Sequence, residues 1–160
     1  MKTPAIGSYK LNTDTTIKLG DSTFSVGLIL RNHEGGFVMG KVRKLLMVSS
    51  VFEAEVDAIR EGLQWVFTLP YQRIKVEYDS LLAVHALSRP NDIALEVSFV
   101  LDECRAIIHF RPDLSINFAK RQANKAAHLM ARLPCLLECP SIFTSPPSSL
   151  VKALLYDVPA

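Results

Sequence analysis

The sequence predicts an α/β domain in which one mixed sheet of five strands carries helices against its faces. Three observations predict it. The first part of the chain holds three short runs of alternating apolar and polar residues, the later part alternates such runs with segments of helical period, and prolines fall at the ends of those segments. Hairpin strands followed by strand–helix units give antiparallel pairs first and parallel pairs later, joined by right-handed crossovers.

Tyr9 through Leu11 to Ile17, with β-branched Thr13, Thr15 and Thr16, reads as the first strand. Phe24, Val26, Leu28 and Leu30 then alternate with Ser25, Gly27, Ile29 and Arg31; Asn32 to Gly36 supplies turn residues, and Phe37 to Arg43 resumes the extended pattern, as a hairpin requires. Ser49 and Ser50 precede a long helical run in which Glu53 follows Ser50 by three residues, the spacing of a capping box. At about 100° per residue, Gly62, Glu55, Val66, Ile59, Phe52, Leu63, Val56 and Phe67 share one arc of that helix. Glu53, Asp57 and Glu61 fall opposite with Arg60 and Gln64, on the face expected in water. Glu55 is the exception: a carboxylate among groups that face a sheet needs a partner, and a metal is one candidate.

Pro70 ends this helix, and Arg73 to Tyr78 alternates Ile74, Val76 and Tyr78 with charged residues before Asp79 and Ser80 lead into a short helix, Leu81 to Leu87. Pro90 and Asn91 break it. Ile93 to Phe110 carries the next helix, with Ile93, Val97, Val100, Leu101, Cys104, Ile107 and Ile108 inward, and Pro112 stops it. Leu114 to Ala119 is the fifth strand and Ala123 to Leu133 an alanine-rich helix ended by Pro134. These elements bound a domain over residues 4–133. From 134 to 160, Pro134, Pro140, Pro146, Pro147 and Pro159, with serines from Ser141 to Ser149, read as a loosely packed tail in which Leu150 to Tyr156 forms a short docking helix.

At 160 residues there is room for one ordinary domain, and 49% apolar with 21% charged residues is a globular composition. No segment approaches the roughly 20 apolar residues that span a bilayer, so no membrane role is expected. The first ten residues lack the apolar core of a secretory signal, which points to an intracellular, reducing compartment, nuclear or cytoplasmic. Cys104, Cys135 and Cys139 do not make the four-ligand set of a structural zinc. A net charge of +2 neither demands nor excludes a polyanionic partner.

Five fragments resemble a known family. Lys10-Leu11-Asn12-Thr13-Asp14, Val26-Gly27-Leu28-Ile29-Leu30-Arg31, Glu53-Ala54-Glu55-Val56-Asp57-Ala58-Ile59-Arg60-Glu61-Gly62-Leu63, Val76-Glu77-Tyr78-Asp79-Ser80 and Arg121-Gln122-Ala123-Asn124-Lys125-Ala126-Ala127-His128 are similar, in order and spacing, to the ribonuclease-H-like domain of plant retrotransposon origin, often called reverse-transcriptase-like. The resemblance implies a ribonuclease-H-like fold and metal-dependent hydrolysis of RNA in RNA–DNA hybrids. Asp14, Glu55 and Asp79 would hold two Mg²⁺ ions, or Mn²⁺, and His128 would stand where the family has aspartate or histidine.

Read without the resemblance, each of these residues has another explanation. Asp14 can merely polarise a strand end, Asp79 and Ser80 can cap a helix, Glu55 can form a salt bridge at the helix edge, and His128 can be an ordinary surface histidine. Lys41, Arg43 and Lys44 after the third strand, and Lys120, Arg121, Asn124 and Lys125 around the last strand–helix junction, are the candidates for contact with nucleic acid, chiefly its phosphates. Thr15, where the family has glycine, is expected to obstruct a substrate backbone, and Phe118-Ala119-Lys120-Arg121 lacks a glycine- and histidine-bearing loop of some relatives. Lys125 stands where such relatives have glutamate. Two rival readings follow: a module that binds nucleic acid without cutting it, and a protein-interaction domain using Leu150, Leu154 and Leu155.

Overall fold

The strand read first in the sequence lies at the middle of the sheet. In the computed structural model, which describes residues 6–18, 20–88 and 95–156, β1 (Tyr9–Thr16) pairs antiparallel with β2 (Thr23–Asn32) and parallel with β4 (Ile74–Tyr78). Outside these lie β3 (Phe37–Leu46) and β5 (Ser115–Phe118), and a last short strand, β6 (Ser141–Phe143), completes the order β5-β4-β1-β2-β3-β6. The helices are α1 (Val51–Thr68), α2 (Leu81–Ala86), α3 (Leu95–Phe110), α4 (Lys125–Ala131) and α5 (Val151–Tyr156). The result is the mixed α/β sheet predicted, with one strand more.

Local chemistry explains the boundaries. Asn32 turns the β2–β3 hairpin by accepting the backbone N–H groups of Glu34 at 3.0 Å and Gly36 at 2.8 Å, with Gly35 at φ 82°. Ser50 caps α1 by accepting the Glu53 N–H at 3.1 Å, and the Glu53 carboxylate reaches back to the Ser49 N–H at 3.2 Å. At the far end of the sheet from these caps, Arg111 grips Asp113 through paired bonds of 2.9 Å and donates to the Tyr71 carbonyl. Asp113 also accepts the Arg73 N–H, and these bonds hold its carboxyl down at about 2.

Because strand side chains alternate, the sheet builds two cores. On one face Leu11, Leu28, Leu30 and Val76 pack with Ile59 and Leu63 of α1 and Leu101 and Cys104 of α3. On the other, Ile29 and Val42 meet Ala126 and Met130 of α4 and Leu150 and Ala153 near α5.

Two sequence expectations are corrected here. Asp57 and Glu61 are not solvated: they are 5% and 4% exposed. Helix α1 is enclosed on more than its sheet side, because Arg43 of β3 reaches Glu61 at 2.7 Å with Lys41 at 3.9 Å, while Arg60 pairs with Asp57 at 2.9 Å and with Glu103 of α3 at 3.2 Å. Its last turn is rotated from the predicted phase, with Trp65 buried and Phe67 exposed. The second correction concerns the segment read as a loose tail. Residues 141–143 pair with Gly40–Val42 of β3, and Leu150 is fully buried, so part of that segment belongs to the packed structure. Of the leucines proposed to recruit a partner, Leu150 and Leu154 face inward and only Leu155 is exposed.

The predicted break at Pro90 and Asn91, the inward position of Ile93, the domain start at residue 4 and Pro159 lie outside the described residues. No helix among the described residues is long and apolar enough to cross a membrane.

Candidate active site

A glycine sets the site's depth. Gly27 stands directly opposite Asp14 in the β1–β2 ladder, and a Cβ there would lie 2.3 Å from the Ala131 backbone nitrogen and 2.4 Å from the Ala127 carbonyl oxygen. Only a residue without a side chain lets α4 settle this close to the sheet. Ala126, Ala127 and Ala131 present equally small surfaces. The approach brings His128 over Asp14, with Nδ1 2.8 Å from Oδ2.

Asp14 is buried, and its other oxygen accepts the Thr15 N–H at 2.8 Å. Burial, followed by the charge of Asp79, raises its carboxyl to about 6, against the opposing pull of the His128 and Thr15 hydrogen bonds. When Asp14 is ionised it can only accept, so Nδ1 of His128 is the donor in this bond and Nε2 is the ring nitrogen outside it.

Parallel pairing of Thr13 with Tyr78 places Asp79, the next residue, beside the carboxyl end of β1. Ser80 then caps α2 by accepting the Ala83 N–H at 3.4 Å, and its hydroxyl donates to Glu55 of α1 at 2.6 Å. Capping and tethering are therefore both functions of Ser80. The buried phenol of Tyr78 registers the gathering: burial pushes its hydroxyl well above the usual value, and the negative charges of Glu55, Asp14 and Asp79 all push the same way. Asp14 and Asp79 thus lie at the carboxyl ends of neighbouring parallel strands, and Glu55 is bonded to the residue after Asp79.

Among the described residues, no group of three or more histidine, cysteine, aspartate or glutamate side chains stands close enough to hold a metal ion. Each carboxylate leans on a neighbour instead: Asp14 on His128, Glu55 on Ser80, and Asp79 on Arg121 at 3.6 Å. The three carboxylates offer hard oxygen donors of the kind Mg²⁺ takes, but among the described residues they are not brought together as one ligand set.

Other predicted contacts are placed differently. Asn124 is 1% exposed and its amide is used inside the protein, so it is not available to nucleic acid. Lys41 and Arg43 lie on the α1 side of the sheet with Glu61, held there by a buried carboxylate; Lys44 is half-buried where its carbonyl meets the Glu138 N–H. Lys120, Arg121 and Lys125 remain exposed at the start of α4, Arg121 with 91% of its side chain in solvent. Thr15 is turned to the α1 side, its hydroxyl 3.4 Å from that of Tyr78, rather than across Asp14. Sequence reasoning missed the structural parts played by Gly27, Tyr78 and Asn12. A glycine inside a strand pattern was the available signal for the first, and the spacing of two from Asp14, which puts Asn12 on the same face, for the last.

Comparison with known proteins agrees with this fold. No curated protein sequence matches the chain. Ribonuclease H1 from the halophilic archaeon Halobacterium salinarum superposes with a TM-score of 0.70 at 21% identity, over 78% of this chain and 95% of that one. LC11-RNase H1, solved in complex with an RNA/DNA hybrid, gives 0.67 at 16%, over 77% and 93%. The protease–reverse transcriptase of prototype foamy virus gives 0.65 at 16%, over 82% of this chain and 21% of that one. At such identities the likeness is one of fold. The family model described as reverse transcriptase-like matches residues 12–133, most of the chain, and with the sheet order and packing above this makes the protein a member of the reverse-transcriptase-like family.

Proposed function

We propose that the protein is a metal-dependent endonuclease that hydrolyses the RNA strand of RNA–DNA hybrids. The observation that carries this reading is that Asp14 and Asp79 lie at the ends of neighbouring parallel strands, with Glu55 bonded to Ser80 beside Asp79 and His128 bonded to Asp14. The solved complex of LC11-RNase H1 with an RNA/DNA hybrid supports the choice of substrate. The order of the motifs supports a retrotransposon-derived plant lineage. The nuclease unit would run over residues 4–133, with 134–160 as a C-terminal extension of which Ser141–Phe143 and Leu150 pack on it.

Asp14, Glu55 and Asp79 would hold two Mg²⁺ ions, for which Mn²⁺ can substitute. Such ions, when bound, activate water and stabilise charge on the departing oxygen. The chain's own residues do the rest. Nε2 of His128 would take up and pass on a proton at the edge of the site. Lys120, Arg121 and Lys125 offer cations to backbone phosphates, and Arg121 can exchange Asp79 for a phosphate without leaving its place.

The test uses purified full-length protein and a hybrid labelled on its RNA strand. Cleavage with Mg²⁺ or Mn²⁺ is expected, and Asp14→Asn should abolish it. A second reading, a module that grips nucleic acid without cutting, draws on the exposed basic residues, which are independent of the carboxylates. Salt-sensitive hybrid binding without cleavage would select it, and failure of both would remove nucleic acid from the account.

A further inference from the structure

Asn124 occupies the N-cap of α4 yet makes no side-chain capping bond there. Asparagine is common at that position because its oxygen accepts an amide of the first turn, so its failure to do so means the side chain is committed elsewhere. Its amide donates 2.8 Å to the backbone oxygen of Thr13, the residue just before Asp14. Its side-chain oxygen accepts 3.1 Å from Asn12, which also donates 3.2 Å to Glu77. Glu77 is fixed in turn by Lys10 and Lys75, each at 3.4 Å. Meanwhile the backbone oxygen of Asn124 accepts the His128 N–H at 3.1 Å. A single buried residue therefore holds the strand next to Asp14 with its side chain and the turn leading to His128 with its backbone.

We infer that Asn124 is a positioning residue: it fixes the start of α4 to β1 and so sets His128 against Asp14. This rests on the reading of Asp14 and His128 as parts of the site. Helix α4 has seven residues, too few to hold its shape or place unaided, and its seat on Gly27 fixes depth rather than rotation. The Asn124–Thr13 bond supplies what the seat lacks. Asn12 and the Glu77 ion pairs fix which way the Asn124 amide faces, since the donor from Asn12 can meet only its oxygen.

Asn124→Asp keeps the shape and the acceptor toward Asn12 but replaces the donor aimed at Thr13 by an oxygen. Cleavage at saturating hybrid should fall about tenfold, as when a partner that orients a site group is lost, while hybrid affinity stays at the wild-type value. In a His128→Ala background the same substitution should cost nothing further, because both changes act through one arrangement. Full, independent losses in the double variant, or unchanged cleavage in the single one, would overturn the inference. Exchange of the His128 amide and the NMR contact between its ring and β1, measured without metal, give a readout that needs no activity. If the wild type cuts nothing, the ribonuclease reading fails, yet loss of that ring–strand contact in the variant still supports the clamp and its persistence refutes it. Should Asn124→Asp not fold, Asn12→Ala must weaken the same contact to a lesser degree, and an unaltered contact there also refutes it.

Discussion

Replacing Gly27 by alanine asks whether the closeness of α4 to the sheet governs the site. The new methyl would stand 2.3 Å from the Ala131 nitrogen and 2.4 Å from the Ala127 oxygen, both main-chain atoms of α4, where ordinary contact begins at 3.4 Å. The helix must retreat by about 1 Å, since neither strand nor helix backbone can fold a main-chain atom aside. Overpacking of this kind costs about 1–3 kcal/mol, or roughly 3–10 °C in melting temperature for a chain of this size. Alanine is otherwise the better strand residue by about 0.5–1 kcal/mol, so any loss is steric. The same retreat carries His128 off Asp14, and a misplacement near 1 Å can lower a rate by about 10²-fold. Thermal unfolding followed by circular dichroism, beside hybrid cleavage, measures both. A variant that melts with the wild type and cuts as fast would refute the view that Gly27 sets the depth of the site.

Two further predictions concern buried charge. The Asp14 carboxyl is raised from 3.8 to about 6, so the folded state holds a proton that the unfolded state has released, and metal-free stability should fall as pH rises between those values. Asp14→Asn should thus stabilise the metal-free protein at pH 7, by on the order of 2–3 kcal/mol, and not at pH 3.5; Mg²⁺ should raise the melting temperature of the wild type at pH 7 but not that of the variant. A pH-independent difference in urea unfolding would count against the origin assigned to the raised carboxyl. Glu61→Ala strips Arg43 and Lys41 of their shared carboxylate and should cost about 3 kcal/mol, against at most about 0.5 kcal/mol for a solvated glutamate; chemical denaturation separates the two.

What was legible in the sequence was local. Alternation in Phe24–Leu30 and Arg73–Tyr78, turn residues at Asn32–Gly36, and the Ser50–Glu53 spacing depend on neighbours a few residues apart, and the structure realises each. The common location of Asp14, Glu55 and Asp79 came from the resemblance; the structure sets Asp14 and Asp79 at neighbouring strand ends and bonds Glu55 to Ser80, but does not close the three into one metal-holding group. What was hidden depended on distant partners. A helical wheel assumes one packed face, so it put Glu61 in water; the arginine that buries it arrives from β3. Prolines around Ser141–Phe143 suggested loose chain, but three residues suffice for an edge strand when β3 offers open backbone groups. The commitment of Asn124 to Thr13 was invisible because the bond joins residues 111 apart.

Strand β1, at the centre of the sheet, has a consequence for how the protein comes into being. Its ladder with β2 forms between near neighbours, whereas its ladder with β4 joins Thr13 to Tyr78 and must wait until α1 has been made and packed. An early hairpin therefore exposes Asp14 without Asp79, Glu55 or His128 beside it. In such a chain the acids that the folded sheet brings near one another are still apart, so their mutual repulsion is met only with the last long-range pairing.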